Sequence, residues 1–257
     1  MDVDLNCDMG ESFGRYTLGH DSAMLDVVTS ANIACGLHAG DPKVMQRTVT
    51  EAAAKGVAVG AHPSFPDRQG FGRRLMALTS DEVEAFVLYQ LGALAGFARA
   101  VGTNLVHVKP HGALYNWAAK DSECAAAIAR AVVAFDPALI VVTLPGSALV
   151  AAAHDHGLPV AQEGFADRAY QADGSLVPRS QPGAVIHDPA EAAARAVQMV
   201  TQGEIQTIDG ATIPMEIDTL CVHGDTPDAV GIAGELRQAL EAAGVTITAL
   251  AESVHTP

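Results

Sequence analysis

Positive charge is scarce in this chain. Its 257 residues carry 15 lysines and arginines against 30 aspartates and glutamates, a formal net charge of −15. Nucleic-acid binding needs clustered basic side chains to neutralise phosphates, so that class of partner is excluded. Cysteines are few: Cys7, Cys35, Cys124 and Cys221, none in a C-x-x-C pair. That spacing argues against a structural zinc site and reads as buried free thiols in a reducing compartment. No apolar run approaches membrane-spanning length, which excludes a membrane partner of that kind. The start, Met1-Asp2-Val3-Asp4, is acidic, unlike a secretory signal, so a cytoplasmic location is expected. A G-x-S-x-G elbow, an H-E-x-x-H helix and a Walker A loop are all missing. Without a P-loop the chain is not expected to hold ATP in that manner. Aromatics make up only 5% of the residues.

Small apolar residues fill the space instead. Apolar residues are 49% of the chain, enough for a large core, and abundant Ala, Val and Gly suit close helix-on-sheet packing. Short apolar or alternating runs alternate with helical stretches throughout, which implies a parallel sheet. There is no composition break and no linker, so residues 1–257 read as one domain.

The strands repeatedly exit into polar clusters. The strand Leu105–Val108 contains His107 and ends at Lys109-Pro110-His111, where Pro110 cannot continue the ladder. Lys109 and His111 lie two apart, so an extended backbone points them the same way. Val3–Asp8 alternates, with Asp4, Asn6 and Asp8 on one face. On an ordinary strand that is the solvent face; inside a closed barrel, three polar groups need a reason. Asp8 is read as a site residue and Asp4 as a deeper structural one. The second strand, Ser30–Cys35, runs into Gly36-Leu37-His38-Ala39-Gly40, and Asp41 with Pro42 caps the next helix. A third strand, Val57–Ala61, ends at His62-Pro63. The basic loop Asp67–Arg74 reads as solvated. A sixth strand delivers Glu163 and then Asp167 and Arg168, followed by a loop over 171–187 long enough to cover a site. A seventh, Thr219–Val222, ends at His223. Helical sequence spans Ala113–Phe135 with Asp121 as an internal cap, a hairpin turns at Asp209-Gly210, and Val245–Leu250 reads as a last strand.

An open doubly wound sheet gathers its ligand at one switch point, whereas contributions from six strand ends fit the mouth of a barrel. The expected fold is therefore a (β/α) barrel with seven, or an irregular number of, strands. The convergent groups would be Asp8, His38, His62, Lys109, His111, Glu163, Asp167, Arg168 and His223. Carboxylates beside imidazoles suit general acid/base work or a divalent metal. Lysine and arginine suit a carboxylate, a phosphate or a developing oxyanion.

The runs DLNCDMGESFG at 4–14, ANIACGLHAGDP at 31–42, GAHPS at 60–64, VKPHGALYN at 108–116, EGFADRAY at 163–170 and VHGD at 222–225 resemble the LamB/YcsF family. The resemblance spans the whole chain in order. It implies a seven-stranded barrel similar to the glycoside hydrolase/deacetylase superfamily. It also implies ATP-dependent opening of 5-oxo-L-proline to L-glutamate, with 5-oxoprolinase subunits B and C as partners and ATP as a co-substrate used by them. The roles assigned to this chain's residues are catalytic for Asp8, His38, His62, Lys109, His111 and His223, and substrate-binding for Asn6, Glu11, Glu163, Asp167 and Arg168. Asp8, His38 and His62 also resemble the Asp-His-His metal set of the related superfamily. Two alternatives stand beside this reading: a free-standing metal-dependent deacetylase or amidohydrolase, and a non-catalytic substrate-binding component.

Overall fold

A computed structural model describes residues 1–222 and 229–250. Seven parallel strands close into a barrel: β1 (Asp2–Met9), β2 (Ser30–Ala34), β3 (Ala58–His62), β4 (Leu105–Val108), β5 (Ile140–Thr143), β6 (Val160–Phe165) and, later in the chain, β9 (Thr219–Cys221). The ring closes because β1 pairs with β2 along one edge and with β9 along the other, at Asp4↔Thr219 through Asn6↔Cys221. The expected seven-stranded barrel is the observed fold.

Register decides which side chains enter the barrel. Asp4, Asn6 and Asp8 share their inward face with Ser30 and Asn32 of β2 and with Thr219 and Cys221 of β9. Leu5, Cys7 and Met9 point outward into the main apolar core under the helices. The alternation of β1 is thus inverted relative to a surface strand, with its polar face inside. Asp4 is fully buried and accepts hydrogen bonds from Thr29 (2.7 Å), Ser30 (2.6 Å) and Thr219 (2.5 Å). Burial nevertheless raises its pKa to about 6, against those hydroxyl donors.

Helices follow the strands with local signals that the sequence displays. Asp41 caps α2 (Pro42–Ala54), accepting from Lys43 N and Val44 N. Its other oxygen accepts from Gly14 N at 2.8 Å and so ties the β1 exit loop to that helix. Thr79 and Glu82 form a capping box on α3 (Ser80–Ala100). The helical stretch after β4 is two helices, α4 (Gly112–Ala118) and α5 (Ser122–Phe135), separated at Asp121, which caps the second. Two short helices, α1 (Asp21–Met24) and α6 (Ala148–Asp155), and two long ones, α7 (Pro189–Gln202) and α8 (Ala229–Ala242), complete the helical shell. The excursion β7 (Glu204–Gln206) and β8 (Thr212–Pro214) is the antiparallel hairpin expected around Asp209-Gly210. The expected last strand shrinks to β10 (Thr246–Ile247), which pairs with Asp2 and Val3. Leu250 instead packs against Ile140, Val142 and Ala161.

Candidate active site

A cleft of about 780 Å³ opens at the C-terminal mouth of the barrel. Asp8 from β1, His62 from β3, Lys109 and His111 from the β4 exit, and Tyr115 from α4 line it. His111 keeps an extended backbone, with φ −106° and ψ 144°, so it and Lys109 enter the cleft together.

Lys109 is buried among acids. Its Nζ lies 2.6 Å from Glu163 Oε1 and 3.0 Å from Asp8 Oδ1, and donates to Asn6 Oδ1 at 3.3 Å. Burial alone lowers a lysine pKa, but Asp8, Cys221 and Glu163 together hold it well above the ordinary value. The ammonium is therefore a fixed charge. Tyr115 donates its hydroxyl to Glu163 Oε2 at 2.8 Å. Burial, then the Glu163 charge, push that phenol well up, so it stays a donor. Asp8 Oδ1 also accepts from Asn32 Nδ2 at 2.9 Å, and Oδ2 lies 3.3 Å from His62 Nε2. Burial raises the Asp8 pKa, yet His62 and Lys109 outweigh it and hold the carboxyl well below the usual range.

The two cleft imidazoles are oriented by backbone carbonyls. His62 Nδ1 donates to the Lys109 carbonyl at 2.7 Å, and His111 Nε2 to the Phe71 carbonyl at 2.8 Å. A carbonyl only accepts, so those nitrogens carry the ring hydrogens. When the rings are neutral, the inward atoms, His62 Nε2 and His111 Nδ1, are lone pairs 3.0 Å apart, and Asp8 Oδ2 faces the same point. Glu11 approaches His111 Nδ1 to 3.9 Å. Such acceptors repel unless a proton or a cation lies between them. One ligand atom from each of Asp8, Glu11, His62 and His111 falls within 4.8 Å of the others. Two imidazoles with their far N–H groups on carbonyls, plus carboxylates, fit a divalent metal. Burial, then the His62 charge, lower the His111 pKa to about 3.

Not every expected residue joins this group. His38 is buried behind it, stacked on His111 at 4.1 Å with planes 8° apart. Among the described residues, neither of its ring nitrogens has a hydrogen-bond partner, and burial, then His111, push its pKa well down. It is a neutral plate against the pair, outside both the cleft lining and the four-residue group. Asn6 and Glu163 are fully buried beneath Lys109. Arg168 lines the cleft while its Nε and Nη2 hold the carbonyls of Ala184 (3.3 Å) and Val177 (2.7 Å). Asp167 lines a smaller, separate cavity with Val222 and Ala229. His223 lies outside the described residues. The basic loop is less solvated than expected, since Arg68 bonds the carbonyls of Gly40 and Gly36 and covers the Phe13 ring at 3.8 Å.

Asn32 and Tyr115 carried no expected role. Ser30 and Asn32 repeat on β2 the period-two polar signal of β1, which would have placed Asn32 inside. Tyr115 offered only its position four residues after His111. His107, visible in its strand, is a further interior residue. Its Nε2 bonds Asn32 Oδ1 at 2.7 Å, and its ring occupies the space where a Gly60 side chain would stand.

The LamB/YcsF family model matches residues 3–255. The chain is 60% identical to the A subunit of 5-oxoprolinase from Methylococcus capsulatus, over 96% of this chain and 95% of that one. It is 54% identical to the corresponding protein of Pyrococcus furiosus, which bears the same name, over 99% and 100%. The crystal structure of a lactam utilization protein from Thermus thermophilus superposes with a TM-score of 0.93 at 52% identity, covering 97% of this chain and 100% of that one. A peptidoglycan N-acetylglucosamine deacetylase, Bc1960, superposes with a TM-score of 0.50 at 11% identity over 100% of this chain and 89% of that one, a likeness of fold alone. With a family match over nearly all its length and relatives above half identity, the chain belongs to the LamB/YcsF family.

Proposed function

We propose that the chain opens a lactam ring as the A component of an ATP-dependent 5-oxoprolinase, acting with subunits B and C to convert 5-oxo-L-proline to L-glutamate. The full-length likeness to proteins named for the A component of 5-oxoprolinase, and to a lactam utilization protein, carries this reading. The chain has no Walker A sequence, which suits ATP being spent on the partners. A lactam is a poor electrophile, and phosphorylation of its oxygen activates the ring carbon. Water then adds to that carbon and the C–N bond breaks. The nitrogen takes a proton, and the acyl phosphate left behind is hydrolysed to the carboxylate and phosphate.

The cleft supplies matching groups. Asp8 and His62 take the proton from water, and it settles among Asp8, His62 and His111 for return to the departing nitrogen. Lys109 faces the charge that develops on oxygen. Asn6, Glu163 and Tyr115 hold that ammonium in place, so they act through Lys109. Arg168 balances substrate charge. A divalent cation held by Asp8, Glu11, His62 and His111 would act as a Lewis acid and strengthen water as a nucleophile. Four buried free thiols favour a reducing, cytoplasmic setting for the complex.

The test is glutamate formation from 5-oxoproline and ATP with separately purified components, each omitted in turn. Omitting this chain is expected to abolish glutamate, and Asp8→Asn or His62→Ala to slow it by about 10²–10⁴-fold. Undiminished glutamate without this chain would sink the reading.

A further inference from the structure

One layer of the barrel interior runs through four neighbouring strands. Asp8 of β1 is the register partner of Asn32 in β2, Asn32 of Gly60 in β3, and Gly60 of His107 in β4. The third member of that row has no side chain. A Cβ there would stand 2.0 Å from His107 Nε2, so the imidazole crosses the gap and reaches Asn32 instead. The register shift between Val59 and Gly60 brings His107, rather than Val106, opposite the glycine.

The hydrogens of Asn32 are then assigned. His107 Nδ1 has no hydrogen-bond partner among the described residues, so the ring hydrogen belongs on Nε2, which donates to Asn32 Oδ1 at 2.7 Å. Asn32 Nδ2 has two hydrogens and two acceptors, Asn6 Oδ1 at 2.7 Å and Asp8 Oδ1 at 2.9 Å. Asn6 is held in its turn. Its own Nδ2 donates to the Thr219 hydroxyl at 2.7 Å, and that hydroxyl gives its hydrogen to Asp4. Turning the Asn32 amide over would set its oxygen against Asn6 Oδ1 and Asp8 Oδ1, and its N–H groups against the His107 donor. Asn6, Asn32, His107 and Thr219 are fully buried, where a mispaired polar atom is costly.

The consequence falls on Asp8, the member of the row that lines the cleft. Its two oxygens become unequal. Oδ1 accepts from Asn32 and, at 3.0 Å, from Lys109, whereas Oδ2 faces His62 Nε2 at 3.3 Å. We propose that Asn32 and His107 are positioning residues that commit Oδ1 of Asp8 to the barrel interior and present Oδ2 to the cleft. Neither touches the reacting atoms; both act through Asp8. Only the use of Oδ2 on a lactam rests on the function proposed above.

The test pairs crystal structures with rates. Asn32→Leu removes both donors at similar side-chain size. In its structure the Asp8 carboxylate is expected to turn, so that Oδ2 leaves its place beside His62. Glutamate formation, with the partner subunits in excess, is expected to lose about 10²-fold in kcat at an unchanged KM for 5-oxoproline, because a misplaced group slows the reaction without weakening binding. His107→Met and His107→Gln serve if Asn32→Leu does not fold. Methionine has the length and no donor, and should turn Asp8 and lower kcat. Glutamine restores an N–H to Asn32 Oδ1 and should recover most of the rate. A role in packing alone would shift the melting temperatures and leave kcat per folded chain equal in the two. An Asp8 that stays in place in Asn32→Leu, an unchanged kcat where Asp8 has turned, or equal kcat in the two His107 variants overturns the proposal. If the wild type forms no glutamate with its partners, the lactam reading falls, and the place of Asp8 Oδ2 in the variant structures still decides the positioning.

Discussion

Lys109 sits between the buried Glu163 and the half-buried Asp8, and its neighbours differ in what their loss removes. Lys109→Met would leave the buried Glu163 without its cation, a loss of about 3–5 kcal/mol by the usual cost of stranding a charge. Tyr115→Phe removes only one hydroxyl donor to Glu163, about 1–3 kcal/mol. Thermal melts of the two variants should therefore separate clearly; equal melting temperatures would show that the ammonium is not paired as described. His107 governs stability in a different way. Burial first, then Lys109, lower its pKa to about 3, so it stays neutral in the fold while the unfolded chain takes up a proton below pH 6.5. Its contribution is complete above 6.5 and is lost as pH falls toward 3. Asp4 works in the opposite direction, since its raised pKa favours the fold at low pH and that benefit is lost as pH rises through 6. Three buried histidines with lowered values, His38, His107 and His111, outweigh the raised carboxyls of Asp4, Asp21 and Asp218, of which only Asp4 reaches about 6. Melting temperature should fall on acidification from pH 6.5 to 4.5, and His107→Gln should flatten that slope. An unchanged slope in the variant would show that His107 is protonated in the fold. Much of this was visible in the sequence. The alternation of β1 separated an inner Asp4 from an outer Asp8. What it concealed was direction: glycines around His38 advertised that imidazole, yet its ring faces the back of His111 and misses the cleft.

The β3–β4 pair shows how a single strand residue sets the width of the barrel interior. The register shifts between Val59 and Gly60 where β3 meets β4. A Cβ on Gly60 would lie 2.0–2.3 Å from atoms of the His107 ring, which in turn holds Asn32. Gly60→Ala therefore cannot be absorbed by a rotamer change alone. It should cost about 1–3 kcal/mol, as overpacking does, and displace the Asn32 donor from Asp8. Chemical denaturation measures the first effect and glutamate formation the second; an alanine variant with wild-type values for both would show that β3 and β4 are farther apart. By contrast, Asp41→Ala should cost about 1 kcal/mol through its helix cap and also release Gly14 N, which ties the β1 exit loop to that helix. Elements with such local chemistry were legible, including the Asp41 and Asp121 caps and the Asp209-Gly210 hairpin. Elements whose extent depends on a partner were not. The last strand is two residues long because β1 offers only Asp2 and Val3 below its contact with β9.

Across the whole molecule, the barrel interior is divided. Strands β1 to β4 and β9 give it aspartate, asparagine, histidine, lysine and threonine, whereas β5 gives it Ile140 and Val142, packed on Ala161 of β6. The polar side ends at the cleft, and its last layer is the four-residue group that can hold a metal. The resemblance to the related superfamily's Asp-His-His set had suggested Asp8, His38 and His62 for that role, whereas distance gathers Asp8, Glu11, His62 and His111. The two sets share Asp8 and His62, so only the other members discriminate between them. Calorimetric titration of chelator-treated protein with Zn²⁺ or Mn²⁺ is expected to give one site per chain. His111→Ala should weaken it by about tenfold or more, as loss of a ligand does, whereas His38→Ala should change it little because His38 lies outside the four-residue group. A bound metal would also raise the melting temperature, by about 2.7 kcal/mol of added stability at a hundred times the dissociation constant, and chelator should reverse that rise. Affinity that depends on His38 and is indifferent to His111 would mean that the ring stacked behind the pair turns into the cleft when metal binds. Absence of any metal-dependent heat or melting shift would leave a shared proton as the partner of the three facing acceptors, and glutamate formation would then be insensitive to chelation.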